Sequence, residues 1–223
     1  MIVQSFSFIY ISKKYHLIGI NNHRTGEIMD KPYIIIDDLL PQDIADGIEH
    51  MMFNELNWRY ISDITHDGEH RNTPAMTHVF SNVEWHGYKC SFMPRVMPIV
   101  EYGTKAVNFD WKTILKVRSF LQVPLHEHFS KVHLDALHTD QPFPHLVLLY
   151  YVIDADGDTI IVNHKRNGQR LENLKAESYE QLVRVTPKKN RLVVFDGEYY
   201  HTAEQPRHGL RNIINFNVLG EFK

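Results

Sequence analysis

The sequence has almost no cysteine: Cys90 is the only one among its 223 residues. A single thiol cannot form an intrachain disulfide, which excludes the disulfide-rich secreted scaffolds and fits a reducing compartment. An excess of charge of one sign is also missing, because 24 lysine and arginine residues stand against 27 aspartate and glutamate residues, for a net charge of -3. Without a basic field, nothing in the composition indicates a nucleic-acid partner.

Long hydrophobic runs are missing as well. No apolar run approaches the roughly 20 residues that a membrane-spanning helix needs. The run Phe6–Ile11 is too short for the core of a signal peptide, and no basic region precedes it. We therefore expect a cytoplasmic protein without a membrane partner. The length of 223 residues, with 43% hydrophobic and 23% charged residues, is that of one globular domain with a substantial core.

The first 28 residues differ in character from the rest. The short β-like run Phe6–Ile11 is followed by a polar connection around Asn21. Such a segment buries little apolar surface to offset the cost of ordering it. We therefore divide the chain into an N-terminal extension, residues 1–28, and a single domain, residues 29–223. The alternative is that Phe6–Ile11 adds an edge strand to the sheet.

The beginning of this domain is predicted to be helical. Pro41 suits the first turn of a helix. Apolar residues then follow at helical spacing, namely Ile44, Ile48, Met51 and Met52. A second helix is predicted around Val96–Val107, where Pro98 favours a late start or a kink.

A β pattern precedes the first helix at Pro32–Ile36 and returns after Asp110. The later strands are separated by turn signals such as Asp156-Gly157, and they are predicted over Ile114–Val123, Leu146–Ile153, Thr159–Asn163, Leu182–Thr186, Leu192–Phe195 and Leu210–Val218. Strands at this spacing indicate a sandwich or a barrel. The fold class is therefore α+β and mainly β.

Three side chains are candidate metal ligands. His138 and Asp140 are two residues apart, so on an extended strand both point to the same side. His201 follows a later strand and can supply a third ligand. Two imidazoles and one carboxylate can occupy one face of an octahedral iron(II), which leaves three positions for cosubstrate and dioxygen. A second H-x-D pair, His133 and Asp135, is an alternative register.

The residues around these ligands carry a more specific signal. In chain order they are His138-Thr-Asp140, Pro144-His145-Leu-Val-Leu-Leu-Tyr150-Tyr151, Asp156-Gly157-Asp158-Thr159, His201 and, ten residues further on, Arg211. This succession resembles the prolyl 4-hydroxylase-like branch of the iron(II)- and 2-oxoglutarate-dependent dioxygenases, in particular its short phage and bacterial forms. The resemblance spans Pro32–Asn217.

The resemblance implies a fold and a set of cofactors. The fold would be a double-stranded β-helix, or jelly roll, buttressed by the N-terminal helices. The cofactors would be Fe(II), held by His138, Asp140 and His201, with 2-oxoglutarate as cosubstrate and ascorbate as reductant. No catalytic residue beyond the iron site is implied.

The resemblance also implies two cosubstrate-binding residues. Arg211 would bind the distal carboxylate of 2-oxoglutarate, because a guanidinium donates two parallel charge-assisted hydrogen bonds to a carboxylate. On its predicted strand Arg211 faces the same way as Ile213, Asn215 and Asn217, and the arginine and two asparagines of this face suit a polar pocket. Tyr151 would offer its hydroxyl to the same carboxylate. Tyr150 would then point to the opposite face.

We therefore expect a dioxygenase that hydroxylates a C–H bond, with a prolyl residue of a peptide or protein as one candidate substrate. Its partners would be 2-oxoglutarate, dioxygen and an unidentified peptide or small molecule, in the host cytoplasm if the chain is phage-encoded. Two alternatives are a non-catalytic jelly-roll binding or structural module and a cupin-like metalloenzyme. The triad together with Arg211 argues against both.

Three features have more than one interpretation, and a fourth has one. Arg118 lines the mouth of the pocket or lies on the surface, and His145 either supports the iron site or does not. Residues 54–90, Trp58 and Trp85 among them, are expected to supply a lid and a substrate wall. The basic stretch of residues 164–170 is either a solvated hairpin loop or a rim that attracts an acidic substrate.

Overall fold

The computed structural model describes residues 32–62, 64, 74–125, 145–165 and 179–223. Within these residues the chain forms helices and strands in the order β1 (Tyr33–Ile36), α1 (Gln42–Asn54), β2 (Arg59–Ile61), β3 (Ala75–Asn82), β4 (Tyr88–Lys89), α2 (Met93–Ala106), β5 (Phe109–Gln122), β6 (Leu146–Tyr151), β7 (Thr159–Lys165), β8 (Gln181–Val185), β9 (Arg191–Asp196), β10 (Tyr199–Ala203) and β11 (Arg211–Phe222).

The strands form two antiparallel sheets. The larger sheet has the order β1-β9-β6-β11-β5-β3-β2, with β4 paired to β3, and the smaller sheet has the order β10-β7-β8. The sheets pack face to face, because Ile161 and Val185 of the smaller sheet share a buried cluster with Leu149, Phe195 and Ile213 of the larger one. This mainly β arrangement of two packed sheets confirms the predicted fold class.

The helices cover the outer face of the larger sheet. Along β6, Leu148 and Tyr150 belong to the buried cluster beneath α1 and α2, whereas Leu149 and Tyr151 belong to the cluster between the sheets. Side chains alternate along a strand, so every residue of β6 is buried on one face or the other. This double burial accounts for the uninterrupted apolar sequence of β6.

Both predicted helices are present, but each begins at a residue other than the predicted one. In α1, Ile48, Met51 and Met52 are buried as predicted, and Pro41 is the N-cap rather than a residue of the first turn. Of the late start or kink predicted for α2 at Pro98, the late start is wrong, because α2 begins at Met93. Pro94 lies in the first turn of α2, where a backbone N–H has no intrahelical acceptor, so proline costs no hydrogen bond there. Pro98 lies further inside α2 and removes a single helical hydrogen bond.

Several strands differ from their predicted bounds. The predicted strands Ile114–Val123 and Leu210–Val218 are both longer in the structure, because β5 and β11 pair from Arg211 opposite Gln122 to Phe222 opposite Phe109. Strand β10 was not predicted, and His201 lies within it rather than after a strand.

The region of residues 54–90 contributes strands to the edge of the larger sheet, where β2 and β4 both pair with β3. Trp58, which was expected in a lid, packs against the helical core and donates its Nε1–H to the Met52 carbonyl oxygen at 3.0 Å. Trp85 is exposed in the β3–β4 turn beside Tyr88. Residues 1–28 lie outside the described residues, so the division of the chain at Met29 stays a prediction. Neither described helix is long and apolar enough to cross a membrane.

Candidate active site

A pocket lies between the two sheets. It is open to solvent, with about 550 Å³ of space not filled by atoms in and in front of it. The described residues that line it are Ile64, Arg118, Phe120, Gln122, Leu149, Thr159, His201, Thr202, Ala203, Arg211, Ile213 and Asn215. Apart from Ile64, these residues belong to β5, β6 and β11 of the larger sheet and to β7 and β10 of the smaller one.

Strand β11 brings Arg211 to this pocket. Ile213 and Asn215, at alternate positions after Arg211, line the same pocket, whereas Ile214 and Phe216 pack beneath the helices. The two faces predicted for this strand are therefore the two faces that the structure has.

The Arg211 guanidinium is buried and fixed, with only 2% of the residue exposed. Its Nε donates to the Gly157 carbonyl oxygen at 2.7 Å, its Nη1 to Gln122 Oε1 at 2.6 Å and its Nη2 to Thr159 Oγ1 at 2.8 Å. These three acceptors are uncharged, and together they fix the orientation of the guanidinium. A cation held in this way at a pocket wall fits the carboxylate of a small ligand.

Tyr151 reaches Arg211 indirectly. Its hydroxyl donates to Thr159 Oγ1 at 2.7 Å, and Arg211 Cζ lies 5.9 Å from the centroid of its ring. Burial raises the pKa of the Tyr151 phenol, more than the nearby Arg211 charge lowers it, so the hydroxyl stays protonated. Tyr150 points to the opposite face, as predicted, and donates to Asn190 Oδ1 at 3.2 Å. Tyr151 is not among the described residues that line the pocket, so its direct contact with a ligand stays a prediction.

Thr159 lines the pocket and was not predicted as a site residue, although it ends the Asp156-Gly157-Asp158-Thr159 motif. It is 1% exposed, and its Oγ1 accepts hydrogen bonds from both Arg211 and Tyr151. A hydroxyl group has two lone pairs and one hydrogen. Because the two accepted bonds occupy the lone pairs, the hydroxyl hydrogen of Thr159 is left for donation to a ligand in the pocket.

His201 presents a ring that fits metal coordination. Its Nδ1 is 3.3 Å from the Tyr199 carbonyl oxygen, and the ring packs edge-on against Phe195 at a centroid distance of 5.0 Å. A carbonyl oxygen only accepts, so Nδ1 carries the hydrogen, and in the neutral ring Nε2 carries a lone pair. Metal-binding histidines are oriented in this way by a hydrogen bond from the second ring nitrogen.

The other two predicted metal ligands, His138 and Asp140, lie outside the described residues, and so do His133 and Asp135. Within the described part of the chain, no group of three or more His, Cys, Asp or Glu side chains could hold a metal ion. His201 therefore fits one corner of the predicted iron site. The complete triad stays a prediction.

The structure assigns places to residues whose location the sequence left open. Arg118 lines the pocket, and Gln122, which the sequence did not single out, holds Arg211. His145 instead packs against Gly197, where a Cβ would come within 2.2 Å of the imidazole Nε2. The basic stretch begins inside β7, where Lys165 pairs with Asp196 at 2.7 Å. Gln122 is the cross-strand partner of Arg211. The sequence does not give the β5–β11 register, so the alternation along each strand was not enough to identify Gln122.

Solved structures are similar to this chain, whereas no protein-family model and no curated protein matches it. An oxidoreductase of the 2OG-Fe(II) oxygenase family from Burkholderia pseudomallei matches with a TM-score of 0.60 and 7% identity, over 89% of this chain and 94% of that one. A prolyl hydroxylase from Trichoplax adhaerens, in complex with a hypoxia inducible factor peptide fragment, matches with a TM-score of 0.56 and 11% identity, over 86% and 85% of the two chains.

A third similar structure is the epimerase SnoN in complex with Fe3+, alpha ketoglutarate and nogalamycin RO. Its TM-score is 0.56 at 10% identity, over 85% of this chain and 79% of that one. At such identities the similarity establishes the fold. The chain has the jelly-roll fold of the 2OG-Fe(II) oxygenases, prolyl hydroxylases among them, and the resemblance seen in the sequence is confirmed at that level.

Replacing Gly157 with alanine tests how tightly the surroundings of Arg211 are packed. A Cβ at this position would lie 2.6 Å from the Glu204 carbonyl oxygen and 2.9 Å from Arg211 Cδ. We expect Gly157→Ala to lower the free energy of unfolding by about 1–3 kcal/mol, the usual cost of overpacking. The matched control is Gly47→Ala, because a Cβ at Gly47 in α1 meets nothing within 4 Å. Melting curves of both variants check this, and a Gly157→Ala protein as stable as the Gly47→Ala protein would contradict it.

Proposed function

We propose that this protein is an iron(II)- and 2-oxoglutarate-dependent dioxygenase that hydroxylates a C–H bond. The reaction would consume 2-oxoglutarate, dioxygen and the substrate, and would yield succinate, carbon dioxide and the hydroxylated substrate. The observation that carries the proposal is the buried, fixed guanidinium of Arg211 in the same pocket as the ring of His201.

Each side chain of the candidate site has a part in the proposed reaction. His201, together with His138 and Asp140, would hold the iron, whose chemistry when bound is the activation of dioxygen. Arg211 binds the distal carboxylate of the cosubstrate, and Thr159 donates its hydroxyl hydrogen to the same group. In this proposal Tyr151 acts by fixing Thr159 through its hydroxyl, and its direct contact with the carboxylate is the alternative. The apolar side chains of the lining, Phe120, Leu149 and Ile213, exclude water from the remaining wall.

The substrate class is proposed more broadly. The Trichoplax adhaerens neighbour is bound to a peptide fragment, and the SnoN neighbour is bound to nogalamycin RO. A shared fold does not specify a substrate. We therefore propose a peptide or a small molecule, with a peptidyl proline as the first candidate to test. We also propose ascorbate as the reductant and the cytoplasm, or the host cytoplasm, as the compartment.

Succinate formation tests the proposed function. The protein is incubated with Fe(II), ascorbate, 2-oxoglutarate and oxygen, and succinate is measured with and without candidate proline-containing peptides. The proposal predicts succinate that depends on both Fe(II) and 2-oxoglutarate and that increases when a substrate is present. No succinate from a folded protein loaded with iron would favour the non-catalytic jelly-roll module. Turnover of a substrate with iron but without 2-oxoglutarate would favour the cupin-like metalloenzyme.

Replacing Thr159 separates its role from that of Tyr151. Thr159→Val removes the hydroxyl at nearly constant volume, so we expect the KM for 2-oxoglutarate to rise about tenfold, the equivalent of one hydrogen bond to a charged group. Tyr151→Phe should raise this KM less, because it removes only the group that positions Thr159. Steady-state kinetics with varied 2-oxoglutarate measure both effects. A larger effect of Tyr151→Phe would instead make Tyr151 the direct contact.

A further inference from the structure

A chain of hydrogen bonds leads from the Arg211 guanidinium out of the pocket. Arg211 Nη1 donates to Gln122 Oε1 at 2.6 Å, and Gln122 Nε2 donates to Gln205 Oε1 at 2.9 Å. Gln205 Nε2 in turn donates to the Val123 backbone carbonyl oxygen at 2.7 Å. Gln122 lines the pocket, whereas Gln205 is not among its described lining residues. The chain therefore connects a pocket cation with a residue outside the pocket.

The two ends of this chain determine how both amide groups are turned. The Val123 carbonyl oxygen can only accept a hydrogen bond, and the Arg211 guanidinium can only donate. Gln205 must therefore turn its Nε2 towards Val123, which leaves its Oε1 to accept from Gln122. Gln122 then turns its Oε1 towards Arg211. Reversing either amide alone would set donor against donor at one of its contacts and acceptor against acceptor at the other.

Gln205 lies in a segment whose backbone is held on both sides. The Glu204 N–H donates to the Asp158 carbonyl oxygen at 2.8 Å, and the Arg207 N–H donates to Asp156 Oδ1 at 3.0 Å. Because the backbone is already ordered, the hydrogen bonds of the half-buried Gln205 side chain have only side-chain freedom to offset. The Gln205 amide is therefore a well-placed support for the group that it contacts.

Gln122 depends on this support because it is buried. The residue is 1% exposed, and it is the direct cross-strand partner of Arg211. Without the Gln205 amide, Gln122 Nε2 would lose its acceptor, and a buried donor without an acceptor is costly. The Gln122 side chain would then shift towards another acceptor, and the oxygen that holds Arg211 Nη1 would shift with it. Gln205 thus acts on Arg211 through Gln122.

We propose that Gln205 is a positioning residue of the active site: it fixes the Gln122 amide, which in turn fixes the guanidinium of Arg211. This inference rests on the proposed function, in which Arg211 binds the distal carboxylate of 2-oxoglutarate, and adds to it a control of cosubstrate affinity from outside the pocket. The chain acts on Arg211 and on none of the proposed metal ligands. Loss of Gln205 should therefore weaken cosubstrate binding and leave metal binding and the rate at saturating 2-oxoglutarate unchanged.

Two methionine variants test this assignment, because methionine has nearly the length of glutamine but no amide group. Binding of Mn(II), a redox-inert substitute for Fe(II), and then of 2-oxoglutarate is measured by calorimetry, and succinate formation with Fe(II) gives kcat. Gln205→Met should weaken 2-oxoglutarate binding about fivefold, the equivalent of one neutral hydrogen bond. Gln122→Met removes the direct partner of Arg211 and should weaken it about tenfold or more. Mn(II) affinity and kcat of Gln205→Met should stay within about twofold of the wild type.

The double variant distinguishes a chain from two independent contacts. If Gln205 acts only through Gln122, the protein with both substitutions should bind 2-oxoglutarate as Gln122→Met alone does, whereas independent contacts would multiply the two losses. Gln181→Met, at the exposed start of β8, is the matched control and should bind like the wild type. Melting temperatures show whether each variant is folded. If Gln205→Met is destabilised, Gln205→Asn takes its place, because its shorter amide cannot reach both neighbours and should weaken binding similarly.

Four outcomes would contradict the account. Unchanged 2-oxoglutarate binding in a folded Gln205→Met protein would overturn the inference. Losses that multiply in the double variant would also overturn it, because Gln205 would then act independently of Gln122. An equal fall in Mn(II) affinity or in kcat would assign Gln205 to the scaffold of the whole site instead. A wild-type protein that binds Mn(II) but not 2-oxoglutarate would overturn the proposed function, and this inference with it.

Discussion

Changing Arg211 to alanine should raise the KM for 2-oxoglutarate about 30-fold or more, while iron binding stays close to that of the wild type. Truncating one partner of a buried, charge-assisted pair costs about 2–5 kcal/mol, and each 1.4 kcal/mol is a factor of ten. The metal ligands are different side chains, so the iron content per chain should not change. Steady-state kinetics with varied 2-oxoglutarate, together with an iron assay, measure the two quantities.

Two further variants control for charge and for folding. Arg211→Lys should recover only part of the affinity, because an ammonium cannot reproduce the planar pattern of donors that now reaches Gly157, Gln122 and Thr159. Arg95→Ala, on the exposed surface of α2, should behave like the wild type. An Arg211→Ala protein that folds and keeps the wild-type dependence on 2-oxoglutarate would contradict the assignment.

His201→Ala should abolish turnover and greatly reduce iron binding. The proposed site has only three protein ligands, so removing one leaves two, which cannot hold the metal firmly at working concentrations. The same loss is expected for His138→Ala and Asp140→Ala. Iron content per chain, measured alongside succinate formation, distinguishes a lost metal from a damaged cosubstrate site.

The controls for this prediction address folding and register. His50→Ala, on the exposed surface of α1, should keep both iron and turnover. His133→Ala and Asp135→Ala should keep most of the activity if the ligands are His138 and Asp140. Inactive His133→Ala and Asp135→Ala proteins beside a fully active His138→Ala protein would show that the other H-x-D pair binds the metal.

The parts of the fold that the sequence predicts well are those whose burial leaves a regular pattern of apolar residues. The continuous apolar run of β6 predicted a strand, and its adjacent residues Leu148 and Leu149 enter different buried clusters. The stripe of α1 was equally clear, because Ile48, Met51 and Met52 are all buried on one face. In both cases the burial of apolar side chains, on two faces of β6 and on one face of α1, leaves a regular pattern in the sequence.

The missed elements lack such a pattern. Strand β10 has the sequence Tyr199-Tyr-His-Thr-Ala203, in which polar and aromatic residues do not alternate by hydropathy. Its position is determined by pairing with β7, which is far away in the sequence. The start of α2 was missed for another reason: the effect of a proline depends on its position in the helix, and Pro94 and Pro98 fall within the first two turns.

The residues of the candidate site also divide into those that the sequence predicts and those that it does not. Local order in the sequence was enough to single out Arg211, because the interval from His201 and the alternation of β11 both point to it. Thr159 and Gln122 could not be assigned in this way, because their roles come from contacts with Arg211 across distances of 52 and 89 residues in the sequence. Arg118 likewise acquires its place opposite Asn215 only through the β5–β11 register.

A crystal structure of the protein with Mn(II) and 2-oxoglutarate, grown without oxygen, would show directly whether the three ligands bind a metal and whether Arg211 binds the cosubstrate. We predict a metal bound to His201 Nε2, with His138 and Asp140 completing the protein ligands, and a 2-oxoglutarate whose distal carboxylate accepts hydrogen bonds from Arg211 and Thr159. A metal bound elsewhere, or a 2-oxoglutarate whose carboxylates do not contact Arg211, would contradict this prediction.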